Sequence, residues 1–409
     1  MSITYPDCEA TKELQIFILP IITGGGLTVS ESSEMKVEIR PEMMRWARER
    51  AGLGVDEAAS KFAGYADWES GDALPTLKQL EGVAGEMRIP IGYFFLDALP
   101  DEVVPIPDLR TLGDGQSGRL GPDLLGTVSL CRRRQDWYRD YCLFEGGEPL
   151  SLIGSAVLGE SVVGVAASMR EVFGFGLDAR SRFGTWEDAF GRLLMGIDDV
   201  GIMVMRSGVV FGDDARELKI EEFRGFVLAD EIAPLVFINA CDAGSAQMLT
   251  LAHGLAHLWL GESALFTAQI DGDEEERIER WCGEVAAEML LPLDALRGEV
   301  DPDESVDDAL ARLVRRFNVG PLVVLRRLFD IGLLDRSELC DRYDVERLAA
   351  SGGGFDPSHI AGLSRCFGRA LIGDMLEGRT LYRDALRLAG LKRVSTLHEI
   401  GRSLGFSIR

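Results

Sequence analysis

The stretch Leu251–Trp259 reads LAHGLAHLW and holds two of the four histidines in the chain, His253 and His257. Four residues apart on a helix, two side chains stand on one face, about 5–6 Å apart at Cβ. Two imidazoles at that spacing can converge on one ion at about 2.0–2.1 Å each. The usual form of such a pair is H-E-x-x-H, and here the second letter is Gly254. The alternative is a chance pair on a buried helix. Histidine is scarce here, however, and half of it sits at ligand spacing behind a strand-like run.

A metal centre open to chemistry needs a third protein ligand. Glu279 is the best candidate, on the next predicted helix, IERWCGEVAAEMLLP. Two neutral imidazoles and one carboxylate leave a zinc site with net charge near +1, which can acidify a bound water. Cys282, three residues after Glu279, leaves a closed structural zinc open as a second form of the site. A cysteine there is also a natural small core residue.

Working outward, apolar and β-branched runs at Val200–Met205, Gly225–Ala229 and Leu235–Asn239 predict short strands before the histidine helix, with Asp242 as its cap. Segments 123–142 and 160–173 read as helices. Residues 305–330 read as helix, Gly turn, helix, and 358–405 are helical by pattern. At the N-terminal end, 41–63 reads as two short helices broken at Gly52 and Gly54, and another helix starts at Thr76. The fold class expected is α+β, predominantly α. A helical N-terminal module occupies 35–98, after a poorly patterned extension at 1–34 and before a proline-bearing linker at 99–118. A domain over 119–335 has its core at 195–300 and a helix-turn-helix-like unit at 305–335. A helical C-terminal domain spans 336–409.

The bulk numbers set limits. The chain has 409 residues, more than one core usually organises. No apolar run approaches the roughly 20 residues that span a bilayer, so no membrane role is expected. Seven scattered cysteines without C-x-x-C suggest reduced thiols and a cytoplasmic setting. The net charge of −24 argues against broad coating of nucleic acid. It leaves room for a local basic face, for which Arg45 and Lys61 in the N-terminal module and Arg326 and Arg327 further on are candidates. Residues 41–100 carry six Lys and Arg against ten Asp and Glu, an unusual balance for a DNA reader.

The runs VFINA, LTLAHGLAHLWLGES and IERWCGEVAAEMLLP together resemble the ImmA/IrrE family of zinc metallopeptidases. PEMMRWARERAG, WESGDALPTLKQLEGVA, IPIGYFF and IPDLRTL resemble the Xre-type helix-turn-helix module and linker of the family's long members, and LYRDALRLAGLK resembles their C-terminal part. The resemblance implies a zincin-like domain with a small sheet, zinc held by His253, His257 and Glu279, and cleavage of a partner regulator such as a repressor or antitoxin-like protein. It also points to two departures. The family's general base is the Glu directly after the first histidine, where this chain has Gly254. The family often has Asn or Asp four residues after the third ligand, where this chain has Gly283. General acid–base catalysis is worth roughly 10²–10⁴-fold, so the chain as written should bind its partner but cut poorly. Two origins fit Gly254, a natural loss and an inactivating substitution. Glu262 and Glu284 are substitutes without a spacing argument. The other reading is a non-catalytic transcription regulator or antitoxin-type binding protein that uses the domain as a scaffold. DNA is a further candidate partner, and a homodimer is compatible with either reading. Between Phe62 and Trp68, only AGYAD is left for a turn and recognition helix, several residues fewer than usual.

Overall fold

The computed structural model describes residues 36–100, 121–210, 216–266, 273–301, 303–350 and 362–407. The extension at 1–34 and most of the expected linker lie outside the described residues. The chain divides into two compact units, Met1–Pro100 and Asp101–Arg409. Among the described residues, no helix is long and apolar enough to cross a membrane.

The first unit is helical: α1 (Pro41–Arg50), α2 (Val55–Lys61), α3 (Tyr65–Ser70) and α4 (Leu77–Glu86), then a 3₁₀ turn at Ile91–Phe95. Pro41 stands in the first turn of α1, where its missing N–H costs nothing. Thr76 and Gln79 form a reciprocal capping box at the start of α4. The apolar faces of Met44, Ala47, Tyr65, Trp68, Leu80 and Phe94 close one small core. Beside it, the Arg48 guanidinium grips Glu69 through two bonds of 2.7 and 2.8 Å. The short span after Phe62 does form a helix, α3, but its exposed residues are Ala66, Asp67 and Ser70.

The second unit is built on a four-stranded sheet. Its strands are β1 (Met203–Ser207), β2 (Gly225–Leu228), β3 (Leu235–Asn239) and β4 (Ala264–Phe266), in the order β1-β3-β2-β4. β1 runs parallel to β3, while β2 runs antiparallel to both β3 and β4. Every strand residue is buried, as expected of a sheet covered on both faces.

Side-chain alternation separates the two layers. Val204, Val227, Val236, Ile238 and Phe266 face a core with α6 (Val162–Val172), α8 (Trp186–Val200), α9 (Gly244–Leu260), α10 (Asp273–Leu290) and α13 (Pro321–Asp330). Between them lie the short helices α7 (Leu177–Arg180) and α11 (Leu293–Arg297), and α12 (Val306–Phe317), with α14 (Arg336–Ala350) after α13. Met203, Met205, Phe226, Leu235 and Phe237 face the opposite layer. That layer is made of α5 (Pro122–Phe144), α15 (Arg365–Leu376), α16 (Tyr382–Ala389) and α17 (Val394–Ser403). The C-terminal helices thus share a core with the sheet.

The α-rich α+β class is what the sequence predicts, and three of the strands fall close to their expected places. β4 went unread, because three residues are too few to show a period. Asp242 is not the cap of α9. The N-cap is Ala243, whose backbone N–H donates to Asp242 Oδ1 at 2.9 Å. Asp242 therefore fastens the residue before the helix rather than an N–H inside its first turn.

Candidate metal centre

α9 is apolar nearly all round, so it lies buried between the sheet and α10. Its end is set by Gly261 at φ +74°, in left-handed space that favours glycine. Within this helix His253 and His257 point to one side, towards α10 and Glu279. His253 Nε2 lies 2.8 Å from Glu279 Oε2, His257 Nε2 lies 3.1 Å from Glu279 Oε1, and the two Nε2 atoms are 3.1 Å apart. Ligand atoms on a tetrahedral zinc with bonds of about 2.0 Å stand ~3.3 Å from one another. The three side chains are therefore nearly at metal-bound spacing.

The chemistry of the donor set fits a cation. Two imidazole nitrogens face each other at hydrogen-bond distance, beside a carboxylate whose Oε1 is buried without a hydrogen-bond partner. A shared positive ion satisfies all three lone pairs at once. Burial pushes the His257 imidazole below its ordinary pKa against the opposing pull of the Glu279 carboxylate, so the neutral, ligating form is favoured. For Glu279, burial acts to raise the pKa. The bonds and charges of His253 and His257 outweigh it and hold the carboxyl well below the usual carboxylate range.

The His257 side chain is 2% exposed and that of His253 18%, so access is from the His253 side. Phe266, the last residue of β4, walls the site. Its ring stands edge-on to His253 at 4.9 Å and tilted to His257 at 5.4 Å. Nothing in the local pattern singled Phe266 out, since it joins the site only through sheet pairing.

Among the described residues, the group of His, Cys, Asp and Glu at metal-binding spacing is His253, His257 and Glu279. Cys282 is not in it. That thiol is fully buried in the core, and burial pushes its pKa up. Glu262 and Glu284 are exposed and also stand outside the group.

Gly254 faces the sheet. A Cβ there would lie 2.9 Å from Val236 Cγ1 and 3.1 Å from Val227 Cγ2. The helix also comes close at Gly225, where an added Cβ would meet Thr250 Cγ2 at 2.9 Å. Gly283 borders open space, and His257 Nδ1 is buried with no hydrogen-bond partner. A metal-ligating histidine ordinarily has such a partner, which orients the ring.

The candidate nucleic-acid residues are engaged within the protein. Arg45 pairs with Glu69 at 3.6 Å, Lys61 with Glu86 at 2.5 Å, and Arg326 with Asp330 at 3.1 Å. Arg327 is 4% exposed and bonded to Glu288 at 2.6 Å.

Sequence reading also missed a set of arginines at the end of α10. Arg170 donates to Glu288 O at 2.7 Å, Arg180 to Leu290 O at 2.5 Å and Arg327 to Leu291 O at 2.8 Å. They come from three separate helices and meet the carbonyls that a helix terminus leaves without partners.

A histidine pair and a carboxylate from two adjacent helices, beside a small sheet, form a centre of the kind metallohydrolases use. Residues 198–329 match the family model of the IrrE N-terminal-like domain, Peptidase M78, a metal-dependent metallopeptidase family. That span contains all four strands and both ligand-bearing helices. Residues 363–403 match a domain of unknown function, DUF8813. No curated protein matches the chain.

Proposed function

We propose that this protein is a zinc-binding regulator of the ImmA/IrrE type that recognises a partner regulator, a repressor or antitoxin-like protein, with peptide cleavage disabled at position 254. The observation that carries the reading is the convergence of His253, His257 and Glu279 beside a residue with no side chain. When bound, zinc supplies Lewis-acid polarisation of a carbonyl and acidifies a water. His253, His257 and Glu279 would hold that ion, and Phe266 would shield it on one side. No carboxylate at 254 takes the proton from the water or delivers it to a leaving amine. The first unit is read as an Xre-type module, and the exposed face of α3, Ala66, Asp67 and Ser70, carries no basic residue for a phosphate, which favours docking to protein over reading of DNA. The setting is cytoplasmic, in keeping with free cysteines.

The packing at Gly254 favours the non-catalytic form of this reading. Val227 and Val236 occupy the space in which a glutamate side chain would begin, so the missing base belongs to a site packed without it.

The test measures metal content and cleavage together, on this chain and on Gly254→Glu, with candidate partner proteins encoded beside it. About one zinc per chain, partner binding by both and no cleavage by the unaltered chain are expected. Unchanged metal content in His253→Ala would sink the metal centre. Cleavage by the unaltered chain would sink the disabled-site reading.

A further inference from the structure

A pocket lies in the layer of α5 and the C-terminal helices, across the sheet from the metal centre. It is lined by Trp137, Asp140, Tyr141 and Phe144 of α5, by Asp374 of α15 and by Arg379 just beyond that helix, and has a volume of about 270 Å³. The four α5 residues stand at i, i+3, i+4 and i+7, so a single helix face supplies one wall. The volume falls below the ~300–1,000 Å³ of pockets that enclose a whole small molecule and suits a single head group.

The walls are aromatic. Trp137 stacks on Tyr141 with ring centroids 5.6 Å apart, and buried Phe367 meets Trp137 edge-on, also at 5.6 Å. The rings are thus packed in place before anything binds. A guanidinium already rests on another of the lining rings, since Arg379 Cζ lies 5.3 Å from the Phe144 centroid. Cations are drawn to ring faces in this way.

The charge around these rings is negative. Arg379 Nε donates to Asp374 Oδ1 at 2.5 Å and its Nη2 to Glu145 Oε1 at 3.2 Å, and its Nη1 lies 2.6 Å from Glu377 Oε2. That one cation is therefore more than matched. Asp140 is exposed and makes no hydrogen bond or ion pair among the described residues. The next arginine, Arg383, lies outside the lining and beside Asp384 at 3.6 Å. A second cation is what the pocket lacks.

Apolar surface continues from the rim. Leu143 and Phe144 are exposed at the end of α5, Leu376 at the end of α15, and Leu381 two residues after Arg379. A free ion leaves such surface in water, whereas a protein segment covers it. We infer that this pocket receives a lysine or arginine side chain of a partner protein, its head group on Trp137 and Tyr141 and paired with Asp140. Apolar neighbours of that residue cover Leu143, Phe144 and Leu381. The site is separate from the metal centre and does not depend on whether that centre is loaded or active.

Calorimetric titration of the full chain with three tripeptides tests this, each acetylated and amidated so that the middle side chain carries the only charge. Leu-Lys-Leu and Leu-Arg-Leu are the probes, and Leu-Gln-Leu is the neutral control. At least one basic peptide is expected to bind with a Kd on the order of 0.1–1 mM. The Gln peptide should bind at least about tenfold more weakly, and guanidinium and tetramethylammonium ions alone should not bind at millimolar concentration. Asp140→Lys sets a like charge in an exposed wall and should weaken the basic peptides at least about tenfold, at an unchanged melting temperature. No binding of either basic peptide at millimolar concentration, equal binding of the Gln peptide, or undiminished binding in folded Asp140→Lys overturns the proposal. Free ions that bind as tightly as the peptides would assign the pocket to a small cation and overturn it too.

Discussion

At Gly254 two opposing energies decide what the residue is for. Alanine is the better helix former by about 1 kcal/mol. Its Cβ, however, would press on Val236 and Val227 at 2.9 and 3.1 Å, and overpacking a close-packed core costs about 1–3 kcal/mol. Both contacts are with short branched side chains that cannot swing aside. Gly254→Ala is therefore expected to destabilise the protein by about 1 kcal/mol in denaturant melts. The same change in a Val236→Ala background should be neutral or better. A stabilised Gly254→Ala would show that the sheet yields and that packing does not explain the glycine. The pair His257 and Glu279 sets the response to acid. In the metal-free folded chain the imidazole is held neutral, below its ordinary value of 6.5. Unfolding releases that restraint, so protons are taken up on unfolding once the pH drops below 6.5. The carboxyl of Glu279 is depressed from 4.5, and its contribution is present above that pH and drains below it. The melting temperature of metal-free protein should thus fall from pH 7 to pH 5, and fall again below 4.5. His257→Leu should remove the upper part of that fall, and an unchanged profile in this variant would refute the assignment.

At the scale of elements, α10 is placed by its far end. Arg327 and Arg180 both reach carbonyls there, but their surroundings differ. Arg327 also neutralises Glu288, a carboxylate only 7% exposed. Arg327→Met leaves that carboxylate buried without its ion-pair partner, at a cost of about 3–5 kcal/mol. Arg180 has no carboxylate partner among its described contacts. Its Nε and Nη2 are buried without acceptors, and burial pushes its pKa down to about 9. Its guanidinium stacks 4.5 Å from the Phe175 ring, a packing role that an apolar side chain can take over. Arg180→Met is expected to stay within about 1 kcal/mol of the parent, because relief of desolvation offsets the lost bond to Leu290 O. Equal losses in the two variants would mean that the arginines act as one helix-end clamp rather than as an ion pair and a stacked cation.

For the whole second unit, the span that matches the IrrE N-terminal-like domain is not a self-sufficient body. One face of its sheet, with Phe226, Leu235 and Phe237, is covered by Phe367, Leu371 and Leu397 from the C-terminal helices. Buried Arg134 of α5 donates to Leu388 O and Ala389 O at 2.7 and 3.1 Å. A chain cut after residue 350 should expose that face, aggregate, and fail to hold stoichiometric zinc. A soluble truncation with a cooperative melt and one bound zinc would contradict this. The net charge of −24, with the candidate arginines tied to carboxylates, also predicts no shift of random duplex DNA even at low salt. Binding that weakens steeply as salt is added would refute it.

The sequence by itself determined the features that repeat along one helix or strand. The i, i+4 histidines, the following glutamate and the strand runs before them were legible, because 3.6- and 2-residue periods are local properties. Gly254 was legible as a missing side chain. Only tertiary structure decided what fills its place, since Val227 and Val236 reach it from other strands. The wall at Phe266 and the arginines at the end of α10 are equally non-local. Each depends on residues tens of positions apart whose meeting is set by sheet order and close packing, and no window of sequence carries that information.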